Sequence, residues 1–230
     1  FDDCDECNNV IYKYLNLLVM EYIPALKFHW LTNIYDWLIG NFMPEKQFKS
    51  TLIYNASIQN EYQVLDFGIG TATLSIMAYN SNPNATFQGI DIDDKILAIA
   101  RKKIEYQKSP ISLIKYNGGS LPFENNTFDR VISSLVIHHL TDEQKLEAFT
   151  EFKRVLKPNG EVHIADWSKP TNILMRVCFH LVKLLDGYKT TTANVKGKLP
   201  DIINKAGFSS VEITHNFNSM LGTVGVFKIK

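Results

Sequence analysis

Two rhythms divide the chain. Before about residue 55, apolar residues recur at helical spacing. Leu15, Leu18, Val19, Tyr22 and Ile23 share a face, and "IYDWLIGNF" and "EKQFKSTLI" continue the pattern. From Tyr62 onward, short apolar runs alternate with helical stretches. "YQVLDF" leads to "TATLSIMAY", "ATFQGID" to "DKILAIARKKIEYQ", then come "ISLIKY" and "FDRVISSLVI" with "DEQKLEAFTEFKRVL", and finally "GEVHIAD" with "NILMRVCFHLVKLL". Val64–Phe67 and Val131–Ser133 are almost continuously apolar, as in strands covered on both faces of a parallel sheet. The alternation predicts a doubly wound α/β fold. The closing stretch "FSSVEITHNFNSMLGTVGVFKIK" reads as two strands with no helix between them, so that pair must run antiparallel.

These patterns place a helical cap over residues 1–55 and an α/β domain over 56–230, with a segment at about 168–199 as a candidate substrate lid. Within that segment "NILMRVCFHLVKLL" reads first as a half-buried helix and second as a pocket lid. The helix expected at 142–156 carries its own start signal. Thr141 and Gln144 fit a capping box, and Leu146, Phe149, Phe152, Val155 and Leu156 form its apolar face. "KPNG" at 157–160 is expected to stop it.

Composition narrows the function classes. Lys+Arg and Asp+Glu are both 24, so the net charge is zero and no basic face is expected for nucleic acid. The apolar run Val10–Leu26 is broken by Lys13, Glu21 and Pro24, which argues against stable membrane insertion. Three cysteines are too few for a disulfide scaffold, and no signal-peptide pattern is read, so a cytoplasmic location is expected. The start at Phe1, without an initiator Met, is read as that of a fragment or a trimmed chain. Cys4 and Cys7 form a C-x-x-C without two further ligands nearby, so no metal site is expected.

The chemistry centres on "VLDFGIGTATL". Its pattern is D-x-G-x-G-x-A, with Asp66, Gly68, Gly70 and Ala72; Thr73 stands where a dinucleotide fingerprint needs its third glycine. Gly68 and Gly70 permit close backbone approach, and Thr71 or a neighbour can begin a helix whose free N–H groups face a ligand. Asp91 closes the second strand 21 residues after Gly70, where a carboxylate can accept from both hydroxyls of a ribose. An adenosyl ligand without a pyrophosphate suits this set, and S-adenosylmethionine is the obvious candidate.

"VLDFGIGTATLSI", "GIDIDDKILAIARKK", "LPFENNTFDRVISSLVIHHL" and "FKRVLKPNGEVHIADWSKP" resemble the successive motifs of class I S-adenosylmethionine-dependent methyltransferases. The nearest branch is the ubiquinone/menaquinone-biosynthesis C-methyltransferase-like group. The resemblance runs from about Tyr62 to Pro170. It implies a seven-stranded, mostly parallel sheet with an antiparallel last strand. It further implies that Gly68 and Gly70 contact the methionine part, that Asp66 anchors the loop, that Asp91 takes the ribose and that Ile92 lies against adenine. Thr71, Gly118 and Ser134 complete the cofactor set, with Tyr35 resembling a cap tyrosine that closes over it. Many relatives carry Asp at the position of Asn117, where it meets the adenine amino group; Asn117 can still accept from that group, as a neutral and weaker partner.

His138 and His139 follow the fourth strand and are candidate general bases, against a structural or cofactor-shelf role. Asp166, ending the fifth strand, is a candidate substrate-orienting group. Asp93 and Asp94 read as an N-cap and a first-turn charge. The expected activity is methyl transfer from S-adenosylmethionine, with S-adenosylhomocysteine as product, to an O, N or C nucleophile of a small molecule. A positive sulfonium makes its methyl group electrophilic, so the protein's tasks are alignment, exclusion of water and one proton removal. The alternatives are a non-catalytic cofactor-binding subunit and a nucleic-acid or protein methyltransferase. "SSLVIHHL" replaces the Asn/Asp-Pro-Pro-aromatic motif of enzymes acting on exocyclic amino groups of bases. An NAD-dependent dehydrogenase is disfavoured by Thr73, and an arsenite methyltransferase lacks its cysteine context.

Overall fold

The computed structural model describes residues 44–169, 197–219 and 222–230. Most of the expected cap, Tyr35, the three cysteines and most of the 168–199 segment lie outside the described residues. In chain order the elements are α1 (Glu45–Ala56), β1 (Gln63–Phe67), α2 (Thr73–Ser81), β2 (Thr86–Asp91), α3 (Asp94–Gln107), β3 (Ile111–Lys115) and β4 (Phe128–Ser134). A short 3-10 turn, Ile137–His139, precedes α4 (Asp142–Val155); β5 (Leu156–Ser168), α5 (Leu199–Lys205), β6 (Val211–Ser219) and β7 (Gly222–Ile229) follow.

The strands form one seven-stranded sheet in the order β3-β2-β1-β4-β5-β7-β6. The first five are mutually parallel, and β7 runs antiparallel to both β5 and β6. Side chains alternate between two cores. Val64, Ile132, Ala165, Trp167, Val224 and Val226 meet α1, α2 and α3 on one face. Leu65, Phe67, Val131, Val162, Ile164, Phe227 and Ile229 meet α4 and α5 on the other. Burial on both faces explains why β1 and β4 read as continuous apolar runs.

The described end of the cap, α1, is part of this layering. Phe48, Leu52 and Ala56 are buried in the first core, and Asn55 Nδ2 donates to Thr214 Oγ1 at 2.7 Å. Arg130 Nε donates to the Ala56 carbonyl at 2.7 Å, placing a cation on the terminal carbonyls of α1.

α4 begins as expected: Gln144 N donates to Thr141 Oγ1, and Gln144 Oε1 accepts from Thr141 N. It ends at Val155, and the chain turns straight into β5. Phe128 pairs with Leu156 and Arg130 with Glu161, so Lys157–Gly160 bulge out of the ladder as part of β5. The sequence-based stop at "KPNG" is therefore a bulged strand start. The bulge favours Gly160, since a Cβ would lie 2.7 Å from Leu156 Cδ2 and 3.1 Å from the Lys157 and Phe128 carbonyl oxygens.

Strand order reverses between β1 and β4, which are neighbours whose following helices lie on opposite faces. Such a switch point opens a crevice beyond the carboxyl ends of the strands. Replacing Thr141 with Ala removes one of the two reciprocal bonds starting α4. It is expected to cost about 1 kcal/mol, or a fall of about 3 °C in thermal midpoint, checked by calorimetric melting.

Candidate cofactor and acceptor site

The loop after β1 is shaped by its neighbours. Ile69 N donates to the Ile90 carbonyl at 2.9 Å, tying the loop to β2. Gly68 has φ +69°, and a Cβ there would lie 2.5 Å from Val136 Cγ2, so the loop after β4 excludes any side chain. Gly70 has φ +55°, but the nearest atom to a Cβ there is the Gly68 carbonyl oxygen at 4.0 Å. One glycine is closed off by protein and the other, among the described residues, faces open space. Ala72, in a left-handed conformation, precedes α2 without a side-chain cap, so no capping side chain covers the amides of Thr73 and Leu74. Thr71 is exposed, with its Oγ1 3.2 Å from Thr73 Oγ1.

Asp91 binds the loop from β2. Its Oδ2 accepts from Gly70 N at 2.9 Å and its Oδ1 from Asp93 N at 3.0 Å. Each oxygen retains a further lone pair, and the residue is half-buried. Ile92 beside it is 45% exposed, an apolar surface at a strand end. Asp93 caps α3 through Lys95 N and Ile96 N, and Asp94 occupies the first turn and pairs with Lys115, which also donates to the Ile92 carbonyl. Asn117 and Gly118 follow β3, and Tyr116 N donates to the Asp91 carbonyl at 2.9 Å, so this loop starts against the Asp91 backbone.

Asp66 lies deeper. It is buried, and Ser75 binds it through both its hydroxyl, with Oγ donating at 2.6 Å, and its backbone amide. Burial pushes its carboxyl up to about 7, against the opposing pulls of Ser75 and the Lys49 ammonium. The contact locks α2 to β1 beneath the loop. Ser134, at the end of β4, has a buried Oγ without a hydrogen-bond partner, beside Ser133, whose hydroxyl is used on the Phe67 carbonyl.

Across the crevice, His138 and Asp166 form a tight unit. Asp166 is fully buried; its Oδ2 accepts from His138 N at 3.1 Å, its Oδ1 lies 2.7 Å from His138 Nδ1, and Trp167 N also donates to Oδ1 at 2.6 Å. Burial favours the neutral acid, yet the His138 ring and these hydrogen bonds hold the Asp166 carboxyl below its ordinary range. An ionised Asp166 accepts from Nδ1–H, which fixes the orientation of the His138 ring. The His139 ring lies 3.9 Å from that of His138, and burial with the neighbouring imidazole pushes it down to about 3. Lys145, buried in the first turn of α4, donates to the Leu140 carbonyl at 2.7 Å beneath this turn.

Sequence reasoning singled out the glycines, Asp91, both histidines and Asp166, and all are at the carboxyl ends of the parallel strands. It missed Val136 and the buried Lys145. Val136 carries no motif signal; Lys145 was readable only as an ordinary helix lysine. Tyr35 lies outside the described residues. Among the described residues no group of three His, Cys, Asp or Glu side chains converges as a metal site.

An S-adenosyl ligand fits the set present. Gly70 leaves its flank open, the Ser134 hydroxyl is buried without a partner, and Asp91 has lone pairs for two ribose hydroxyls. The two glycines should respond differently to the same change. Gly68→Ala forces Val136 aside and is expected to lower the melting midpoint sharply. Gly70→Ala costs only about 1 kcal/mol of backbone strain, yet it should weaken S-adenosylhomocysteine binding by about 10-fold or more. Melting curves and calorimetric titrations of both variants check the contrast.

A family described as "Methyltransferase domain" matches residues 64–160. The chain is 30% identical to the ubiquinone/menaquinone biosynthesis C-methyltransferase UbiE of Blochmanniella floridana, over 71% of this chain; it spans 65% of that relative's length. It is 31% identical to the demethylmenaquinone methyltransferase of Lactobacillus johnsonii, over 65% of this chain and 69% of the relative. Among solved structures, a SAM-dependent methyltransferase from Aquifex aeolicus superposes with a TM-score of 0.61 at 20% identity, over 84% of this chain and 92% of that one, a likeness of fold. By sequence and by fold, the chain belongs to the class I S-adenosylmethionine-dependent methyltransferases, in the ubiquinone/menaquinone C-methyltransferase-like group.

Proposed function

We propose that the protein transfers a methyl group from S-adenosylmethionine to a ring carbon of a small hydroxylated aromatic acceptor of the quinol type. The observation that carries the reading is the placement of two sets of groups on one strand edge. The glycine loop, Asp91 and Ser134 stand at the ends of β1, β2 and β4, and the Asp166-gripped His138 stands between β4 and α4. The relatives named for demethylmenaquinone and ubiquinone/menaquinone methylation support the acceptor class.

When bound, the cofactor supplies a methyl group on a positive sulfur that leaves as a neutral thioether. Gly68, Gly70 and the uncapped amides of α2 receive its methionine portion. Asp91 accepts from the ribose, Ile92 covers one side of the purine, and Asn117 with Gly118 takes its edge. The Ser134 hydroxyl gains the partner it lacks. Asp66 holds the loop in place from below through Ser75. Tyr35 and the 168–199 segment are assigned to closing the site.

His138 acts as general base. Asp166 orients its ring, so Nε2 takes the proton of the acceptor's hydroxyl and the adjoining ring carbon attacks the methyl group as the S–CH3 bond breaks. The hydrogen of that carbon then returns as a proton to the oxygen, restoring the aromatic hydroxyl, and the proton on His138 passes to solvent. His139 serves as a neutral wall against the His138 ring. Three cysteines in 230 residues suit a reducing, cytoplasmic setting.

His138→Asn keeps a donor toward Asp166 but has no base; kcat should fall by about 100-fold or more, with S-adenosylhomocysteine affinity changed less than about 3-fold. His139 has its pKa depressed to about 3, so it is already neutral throughout the working range. Its protonation therefore imposes no loss of rate until the pH falls toward that value. His139→Phe should leave the shape of the kcat–pH profile unchanged between about pH 5 and 9. Full turnover by His138→Asn would remove the base assignment and leave alignment of the acceptor with the sulfonium as the whole of the catalysis.

A further inference from the structure

Arg154, in the last turn of α4, uses every N–H of its guanidinium within the protein. Nε donates to Glu151 Oε1 at 2.9 Å and one Nη2 hydrogen to Glu151 Oε2 at 2.7 Å. The rest go to the loop between β3 and β4: Nη2 to the Leu121 carbonyl at 3.0 Å, and Nη1 to the Phe123 carbonyl at 2.8 Å and Asn125 Oδ1 at 2.9 Å. Glu151 completes the grip, its Oε2 accepting from Leu121 N at 2.7 Å. Downstream, Asn126 N donates to the Arg154 carbonyl and Thr127 N to that of Val155. Each partner holds the other in its charged form: Arg154 lowers the Glu151 carboxyl, and Glu151 raises the Arg154 guanidinium. The pair is half-buried, and both of its members spend hydrogen bonds on the one loop, which the loop's shape explains better than the i,i+3 ion pair by itself.

The loop's other end is held as well. Tyr116 N bonds the Asp91 carbonyl at 2.9 Å, and the Tyr116 hydroxyl donates to the Gly119 carbonyl. Between these anchors lie only Asn117–Ser120, whose turn depends on Gly118 at φ +84° and Gly119 at φ +78°. Four residues fixed at both ends have little freedom, and their shape follows from where the anchors sit.

We infer that Arg154 and Glu151 are positioning residues for purine recognition: by clamping Leu121–Asn125 onto α4 they hold Asn117–Ser120 in the shape that discriminates the adenine amino group. This rests on the reading that Asn117 meets that amino group. The hydrogen bonds of the clamp run to Leu121, Phe123 and Asn125, and among the described residues none runs to Asp91, His138 or Asp166.

The test is a ratio. Calorimetric titrations compare S-adenosylhomocysteine with S-inosylhomocysteine, which presents an oxygen in place of the amino group. The wild type should prefer the adenine ligand by about 10-fold or more. In Arg154→Ala and in Glu151→Gln the preference should shrink to within about 3-fold of unity. Arg154→Lys, with its charge but without the planar fork, should fall between. A ratio is unaffected by partial unfolding, since both ligands see the same folded fraction. If the clamp variants weaken both ligands by one common factor, the pair is structural and the inference falls. Asn117→Ala separates the two readings. If it erases the preference while the clamp variants keep it, Asn117 reads the purine unaided. If it keeps the preference itself, this loop does not read the purine and the inference goes with it.

Discussion

Val136 occupies the space that any side chain on Gly68 would need. That single close approach brings the loop after β1 against the loop after β4, at the point where strand order reverses. The rest of the site depends on it. With Gly68 pressed under Val136, the chain turns so that Gly70 faces outward, its N–H reaches Asp91, and the first turn of α2 opens toward the crevice. The same loop after β4 places His138 over Asp166 at the end of β5. One steric contact thus holds the glycine loop and the histidine-bearing loop in a fixed relation.

Around that contact, buried polar groups act as fasteners. Asp66 with Ser75 joins α2 to β1, and Ser133 ties β4 to the end of β1. Asp166 is held ionised by His138 despite full burial, whereas burial with little compensation raises Asp66. The difference is one of partners: Asp166 accepts from an imidazole and two backbone amides, Asp66 from the single residue Ser75, which is neutral. This separates a carboxylate suited to orienting a base from a carboxyl suited to anchoring a loop.

The fold was largely legible because its signals are local. Continuous apolar runs marked β1 and β4, the Thr141 capping box marked α4, and two strands without an intervening helix gave the antiparallel end. Where legibility failed, tertiary contacts decide. Lys157–Gly160 read as a stop but form a bulged strand entry, because Leu156 already pairs with Phe128. The short α5, with Pro200 in its first turn, was not singled out; seven residues carry too little periodicity to stand out. At the site, the glycine and Asp91 spacing was visible, while the Val136 contact and the grip of Arg154 on a loop 30 residues away have no expression in linear spacing.

We assign S-adenosylmethionine to the crevice beyond β1, β2 and β4, with Asp91 on its ribose. Calorimetric titration of S-adenosylhomocysteine into the wild type and into Asp91→Ala measures this pairing. Micromolar-range binding is expected, weakening by about 100-fold when the two charge-assisted bonds to the ribose are lost. A folded wild-type protein that fails to bind, or an Asp91→Ala protein that binds equally well, would contradict it.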